Sequence, residues 1–482
     1  MISRNFLKSS LIYSVFGALP LASSIILLPF YTNLLSTNDF GLLAIFISFT
    51  LLIQVIINYS FDGMVGIHYY ELKDSPEQLK KYISTVYLTL IGIGALFILL
   101  SVFIFPSLFN WIFDGKIDFF PYGIMSVATA MFNSFFKTYT LLLINQQRPI
   151  RFMWMNLFNF VLTLLISIVG LYLYPLTLVG PMYGRLFSGV GIFLLSFYFF
   201  QSESGFHFNF KLLKGAWSFC TPIVIYFLMF WVIGYIDRFI INHFSEPSLV
   251  GIYDFGVKCT LLIDFVIRGM ISAIYPKIFS IWKEKNNTES TPEINKYFHS
   301  LSALSLLMIA ATILFFPLIV PLVVTNQNYY QSFQYLPLLS VSFITSSMLF
   351  MYIAPAYYFK KTFMLPKVFL ITAIVQVVVS FFFVKYFGLW GAAWSLLVVK
   401  PVQLFLMYWE SEKVFHFTFN KIKMIFLPLA YSVLVIVLNY FTTNLNYYIV
   451  NSIGFATACL LIFFVYRTEI FSSIDFFKKK YL

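Results

Sequence analysis

Long apolar blocks separated by short polar connections dominate this chain. Each block is close to the roughly 20 residues that a helix needs to cross hydrocarbon. The pattern predicts spans near 9–31, 41–60, 83–105, 121–144, 152–172, 176–200, 216–240, 250–275, 297–324, 335–359, 366–386, 389–408, 424–441 and 447–466. Water is absent from the bilayer core, so a spanning backbone must be helical or closed into a barrel. Barrel strands alternate apolar and polar positions. These blocks do not alternate. The expectation is an all-α integral membrane protein of about fourteen transmembrane helices.

The polar connections set an orientation. Loops at one end carry Arg4, Lys8, Lys73, Lys80, Lys81, Arg148, Arg151, Lys211 and Lys214, continue through Lys277, Lys296, Lys360, Lys361, Lys367 and Lys400, and finish with Lys478, Lys479 and Lys480. Loops at the other end hold Lys116, Arg238 and Lys385. Cytoplasmic loops are the basic ones, so both termini are expected in the cytoplasm. The start, "MISRNFLKSSLIYSVFGALPLASSIILLPF", is basic and then apolar. A cleaved signal peptide has an apolar stretch of about 7–15 residues. Here the stretch runs from Leu11 to Phe30, which reads as an uncleaved first span. The longest connections have no room for a soluble domain, so the chemistry is expected inside the bundle.

Composition agrees. Hydrophobic residues make up 60% and charged residues 10%, with a mean hydropathy of +0.86. Soluble domains carry about 25% charged residues. The net charge of +12 follows from topology and needs no nucleic acid; some attraction to anionic membrane lipid is expected. Cys220, Cys259 and Cys459 have no metal-type spacing, and the five histidines are scattered. No metal site, cofactor or catalytic residue is expected.

The ionisable residues inside the spans are the informative departures. The eighth span carries Asp254, Lys258, Asp264 and Arg268. At about 100° per residue, all four fall within a sector of about 120°. Asp254–Lys258 and Asp264–Arg268 are also i,i+4 pairs with the acid first, which favours mutual contact. The stripe reads either as structural pairing between helices or as one wall of a wet cavity. Arg185 in the sixth span and Lys137 in the fourth have no acidic residue within one turn of their own sequence. A cation inside a bundle is a functional candidate, although Lys137 could also snorkel to the boundary. Asp237 and Arg238 close the seventh span, and adjacent residues are expected to point in different directions. Pro20 and Pro222 allow bends.

An internal repeat is suggested by two glycine-centred matches. "LLSTNDFGLLAIF" pairs with "HFSEPSLVGIYDF", aligning Gly41 with Gly251. "LVGPMYG" pairs with "LWGAAWS", aligning Gly180 with Gly391 at nearly the same offset. The expected organisation is an N-terminal lobe at 1–202, a C-terminal lobe at 203–410, and two further spans with a basic tail at 411–482. Such parallel repeats build transporters with a site between the halves.

The stretch "IDRFIINHFSEPSLVGIYDFGVK", followed by Pro276 in "ISAIYPKIF", and the opening "LSTNDFGLLAIF" together resemble the polysaccharide flippases. These are the Wzx-type O-antigen and capsule repeat-unit exporters of the multidrug/oligosaccharidyl-lipid/polysaccharide exporter superfamily. The resemblance implies two six-helix lobes in a V-shaped bundle, alternating access, and transfer of an undecaprenyl-diphosphate-linked oligosaccharide to the outer leaflet. It implies coupling to H⁺ or Na⁺, and a polysaccharide polymerase and chain-length regulator as partners. Arg268, Lys258 and Arg185 are the expected contacts to the diphosphate and sugar, with Lys137 and Arg238 beside them. Asp264, Asp254 and Asp237 are the expected pairing or ion-coupling groups. One departure is that the first span contains no charge, unlike other branches of the superfamily. A drug or metabolite antiporter of the same fold is the nearest alternative. A membrane polymerase or ligase is less consistent with short outward loops and no His/Asp or Ser/His arrangement.

Overall fold

The computed structural model describes residues 4–284, 287–441 and 447–481. The 442–446 connection and the side chains of Lys478, Lys479 and Lys480, which enter the orientation argument, lie outside the described residues. Among those residues all regular structure is helical. The first unit of chain holds α1 (Arg4–Gly17), α2 (Leu19–Leu34), α3 (Thr37–Asn58), α4 (Phe61–Leu72), α5 (Pro76–Phe113), α6 (Tyr122–Asn145), α7 (Pro149–Leu173), α8 (Val179–Ser204) and α9 (Ala216–Phe244). Then follow α10 (Pro247–Glu284), α11 (Asn287–Val323), α12 (Leu336–Val341), α13 (Ser346–Tyr358), α14 (Met364–Glu412), α15 (Leu427–Phe441) and α16 (Tyr447–Tyr481).

Every expected span lies on these helices. Among the described residues, 11 helical segments are long and apolar enough to cross a membrane. The chain is a multi-pass integral membrane protein. The expected eighth span lies on α10, which is not among those 11 segments. α14 carries two expected spans in 49 residues, bent at Gly388, whose φ of 56° suits glycine. The bends differ in kind from the expectation. Pro20 begins α2 just after a break at Ala18, where its fixed φ fits a first helical turn. Pro222 is absorbed within a continuous α9. A break without a proline or glycine falls at Tyr59 and Ser60, both left-handed (φ 45° and 58°), which turns α3 into α4.

Packing divides the chain into Met1–Gly251 and Ile252–Leu482. The expected boundary at 202–203 is a division by sequence repeat; the division by packing comes later because α9 is fastened to the helices before it. Trp231 Nε1 donates to the Ser48 carbonyl at 2.8 Å, Phe239 stacks on Phe113, and the Tyr59 and Thr221 hydroxyls lie 2.7 Å apart.

The glycines of the two sequence matches all lie at close packings. A Cβ on Gly180 would fall 2.4 Å from the Leu171 nitrogen, so α8 closes directly on α7. A Cβ on Gly391 would fall 1.9 Å from the Phe383 carbonyl, so the two legs of α14 close in the same way. Each hairpin is then clamped by ions at its open end. Arg148 and Arg151 share Glu203, and Lys367 and Lys413 share Glu410 at 2.7 and 2.9 Å. The aligned pair Gly41 and Gly251 meet each other: a Cβ on Gly41 would fall 1.8 Å from the Pro247 carbonyl, and one on Gly251 would fall 2.2 Å from that of Thr37.

Candidate functional site

In the first unit the site is built around Arg185. It projects from α8 into a cavity of about 110 Å³ that also reaches Ser23 and Ser24 of α2, Thr129 and Asn133 of α6, and Asn156 and Asn159 of α7. This volume holds several waters or a small polar group. The break before α2 helps to make the lining polar. Pro20 starts the helix, and the hydroxyls of Ser23 and Ser24 return to its carbonyl at 2.7 and 3.3 Å. The Arg185 Nε is buried without a hydrogen-bond partner among the described residues, and no carboxylate there pairs with Arg185. The Tyr31 side chain lies against Arg185 and is itself joined by Ser167. The cavity therefore combines one uncompensated cation with hydroxyls and amides. That chemistry receives an anion or the hydroxyls of a sugar.

Lys137 is placed differently. Its Nζ lies 2.9 Å from Asp62 Oδ2 and over the Phe227 ring. Asp62 lies far from Lys137 in sequence, and the Tyr59–Ser60 break swings it toward α6. Asp237 and Arg238 correct a second expectation. They do not diverge: Arg238 Nη1 donates to Asp237 Oδ1 at 2.6 Å and to the Gly234 carbonyl at 2.7 Å. Both are buried, at 2% and 4% exposure. The long arginine chain curls back along its own helix.

In the second unit both expected i,i+4 pairs form. Lys258 meets Asp254 at 2.8 Å, and Arg268 meets Asp264 at 2.6 Å. Their surroundings differ, however. The Asp254–Lys258 pair is packed in protein, whereas the Arg268 side chain is 52% exposed. Lys400 joins the open pair and corrects the orientation argument, which placed it in a basic loop. It lies within α14, with Nζ 3.0 Å from Ser342 Oγ and 3.7 Å above the Phe343 ring. The charges of Asp264 and Arg268 both act on it. Asp264 thus pairs with Arg268 and also acts electrostatically on Lys400. Lys400 was legible as an ionisable residue inside the predicted span 389–408, although the basic-loop set also contained it. Among the described residues no metal-binding group of His, Cys, Asp or Glu forms.

Residues 31–330 match the family described as polysaccharide biosynthesis protein. Among curated proteins, an uncharacterized membrane protein of Haemophilus influenzae is 24% identical over 330 residues, covering 67% of this chain and 74% of its own. A Shigella flexneri protein named as a candidate O-antigen transporter is 22% identical over 245 residues, covering 48% of this chain and 56% of that protein. Among solved structures, the lipid II flippase MurJ in an inward closed conformation aligns with a TM-score of 0.72 at 14% identity, over 96% of this chain and 99% of that one. An inward-facing multidrug resistance transporter of the MATE family, of the MOP superfamily, aligns with a TM-score of 0.69 at 15% identity, over 83% and 94%. The two structures establish the fold, a helical bundle of the MOP type.

Proposed function

Because the chain belongs to the polysaccharide biosynthesis protein family, we propose that it is a flippase for an undecaprenyl-diphosphate-linked oligosaccharide repeat unit. It works in the cytoplasmic membrane with both termini inside, and a polymerase and chain-length regulator take over the product. The observation that carries this reading is Arg185, a cation with a buried Nε unsatisfied by protein in a cavity of hydroxyls and amides. A diphosphate with its sugar loses its hydration on leaving water, and charge-assisted hydrogen bonds substitute for it. In the second unit, the exposed Arg268 and Lys400 are further candidate donors. Arg238 and Lys258 are held in buried pairs and act on the site only if those pairs open. Lys137 shares its charge with Asp62.

Coupling follows from the same groups. Asp264 pairs with Arg268 and its charge also acts on Lys400. A proton or Na⁺ on Asp264 removes its hold and frees both cations for substrate. Deletion of the gene is expected to strand lipid-linked repeat units in the inner leaflet and to remove surface polysaccharide. The wild-type gene restores both, and Arg185→Gln restores neither. Absence of any stranded intermediate overturns the flippase reading. Asp264→Asn transporting normally under every pH and Na⁺ gradient overturns the coupling step.

A further inference from the structure

A second hollow in the first unit lies away from Arg185. A groove of about 680 Å³ opens on the outer face of α7 and α8, with Arg148 and Arg151 at its head and Trp154, Phe158, Leu195 and Phe199 along its walls. Positions 151, 154, 155 and 158 recur at helical spacing, so one face of α7 carries the groove from its charged first turn downward. From Arg148 to Phe158 the helix rises about 15 Å, half of a hydrocarbon core of about 30 Å. The walls are open to the surroundings: Trp154 is 61% and Phe158 42% exposed. The groove thus has the depth of one leaflet, with its cations at the level of the head groups.

Charge identifies the occupant. Both arginines direct Nη1 to the same Oε1 of Glu203. Two guanidinium groups against one carboxylate leave one positive charge, and each guanidinium retains further N–H donors. Arg151 is also held over the Phe199 ring, 4.6 Å from its centroid, so its fork is positioned in advance. We propose that this groove binds an anionic phospholipid, with the phosphodiester on Arg148 and Arg151 and one acyl chain lying against Trp154, Phe158 and Leu195. A phosphodiester carries one negative charge, which matches the single charge left over. A polyprenyl diphosphate carries more and would leave the site over-compensated. This inference is independent of what the protein transports.

The test uses the full chain, purified in detergent and analysed by native mass spectrometry with phosphatidylglycerol, phosphatidylcholine or a polyprenyl diphosphate added at equal concentration. One phosphatidylglycerol is expected to be retained in preference to phosphatidylcholine. The double variant Arg148→Gln/Arg151→Gln is expected to lose that retention at least about tenfold, a tenfold change being 1.4 kcal/mol. Trp154→Ala is expected to weaken it. Lys211→Gln/Lys214→Gln, which removes the same charge from a neighbouring loop, is expected to leave it unchanged. The single variant Arg148→Gln retains the Arg151–Glu203 pair and covers the case in which the double variant unfolds. Equal retention of phosphatidylcholine, equal loss in the Lys211/Lys214 control, or displacement of phosphatidylglycerol by the polyprenyl diphosphate each overturns the proposal.

Discussion

Lys137 of α6 and Asp62 of α4, 75 positions apart in sequence, form an ion pair of 2.9 Å. The pair exists because two left-handed residues, Tyr59 and Ser60, redirect the chain between α3 and α4. Lys137 is about half exposed and Asp62 is mostly covered, so the pair lies between the surface and buried regimes. A double-mutant cycle with Asp62→Asn and Lys137→Met, read by thermal unfolding in detergent, is expected to give a coupling of about 1 kcal/mol. Additive effects would mean that the contact has no energetic weight.

The buried Asp254–Lys258 pair gives a different pattern. Removing either partner alone takes this contact from a buried charge and is expected to be destabilising. The double change Asp254→Leu/Lys258→Met is expected to recover most of that loss, because well-packed apolar side chains replace such pairs at little cost. Thermal unfolding of the three variants decides it. If the double variant is as unstable as the singles, the pair has a structural role beyond self-neutralisation.

Arg185 is expected to matter for transport and little for folding. Charge-assisted hydrogen bonds contribute about 1.5–3 kcal/mol. Arg185→Gln is therefore expected to slow translocation by roughly ten- to a hundredfold at unchanged melting temperature. Arg185→Lys, which keeps the charge but not the planar fork, falls between. A fluorescent lipid-linked saccharide in proteoliposomes supplies the rate.

Lys400→Gln is expected to reduce the same rate about tenfold, since it removes one of two cations acting with Asp264. An unaltered rate would assign Lys400 to the packing of α14 against Ser342 and Phe343 alone.

The glycine contacts allow a direct test of the repeat. Gly41→Ala and Gly391→Ala each force a methyl into a backbone carbonyl and are expected to destabilise by about 1–3 kcal/mol. Gly92→Ala, where an added Cβ meets nothing within 4 Å, is expected to be neutral or slightly stabilising, since alanine favours a helix interior. Equal unfolding temperatures for all three would remove the close-packing argument.

The sequence by itself determined the membrane class, the position of each span and the i,i+4 pairs Asp254–Lys258 and Asp264–Arg268. Apolar blocks of bilayer length and helical spacing are local properties, and local properties survive in a linear string. It also offered the glycine matches Gly41 with Gly251 and Gly180 with Gly391, at nearly one offset. Tertiary structure decided what each charge faces. The Asp62 partner of Lys137, the buried Nε of Arg185 in its cavity and the action of Asp264 and Arg268 on Lys400 all depend on where another segment of chain comes to lie. The electrostatic energy of a buried group depends on distances and exposure in space, and neither is encoded at the residue's own position.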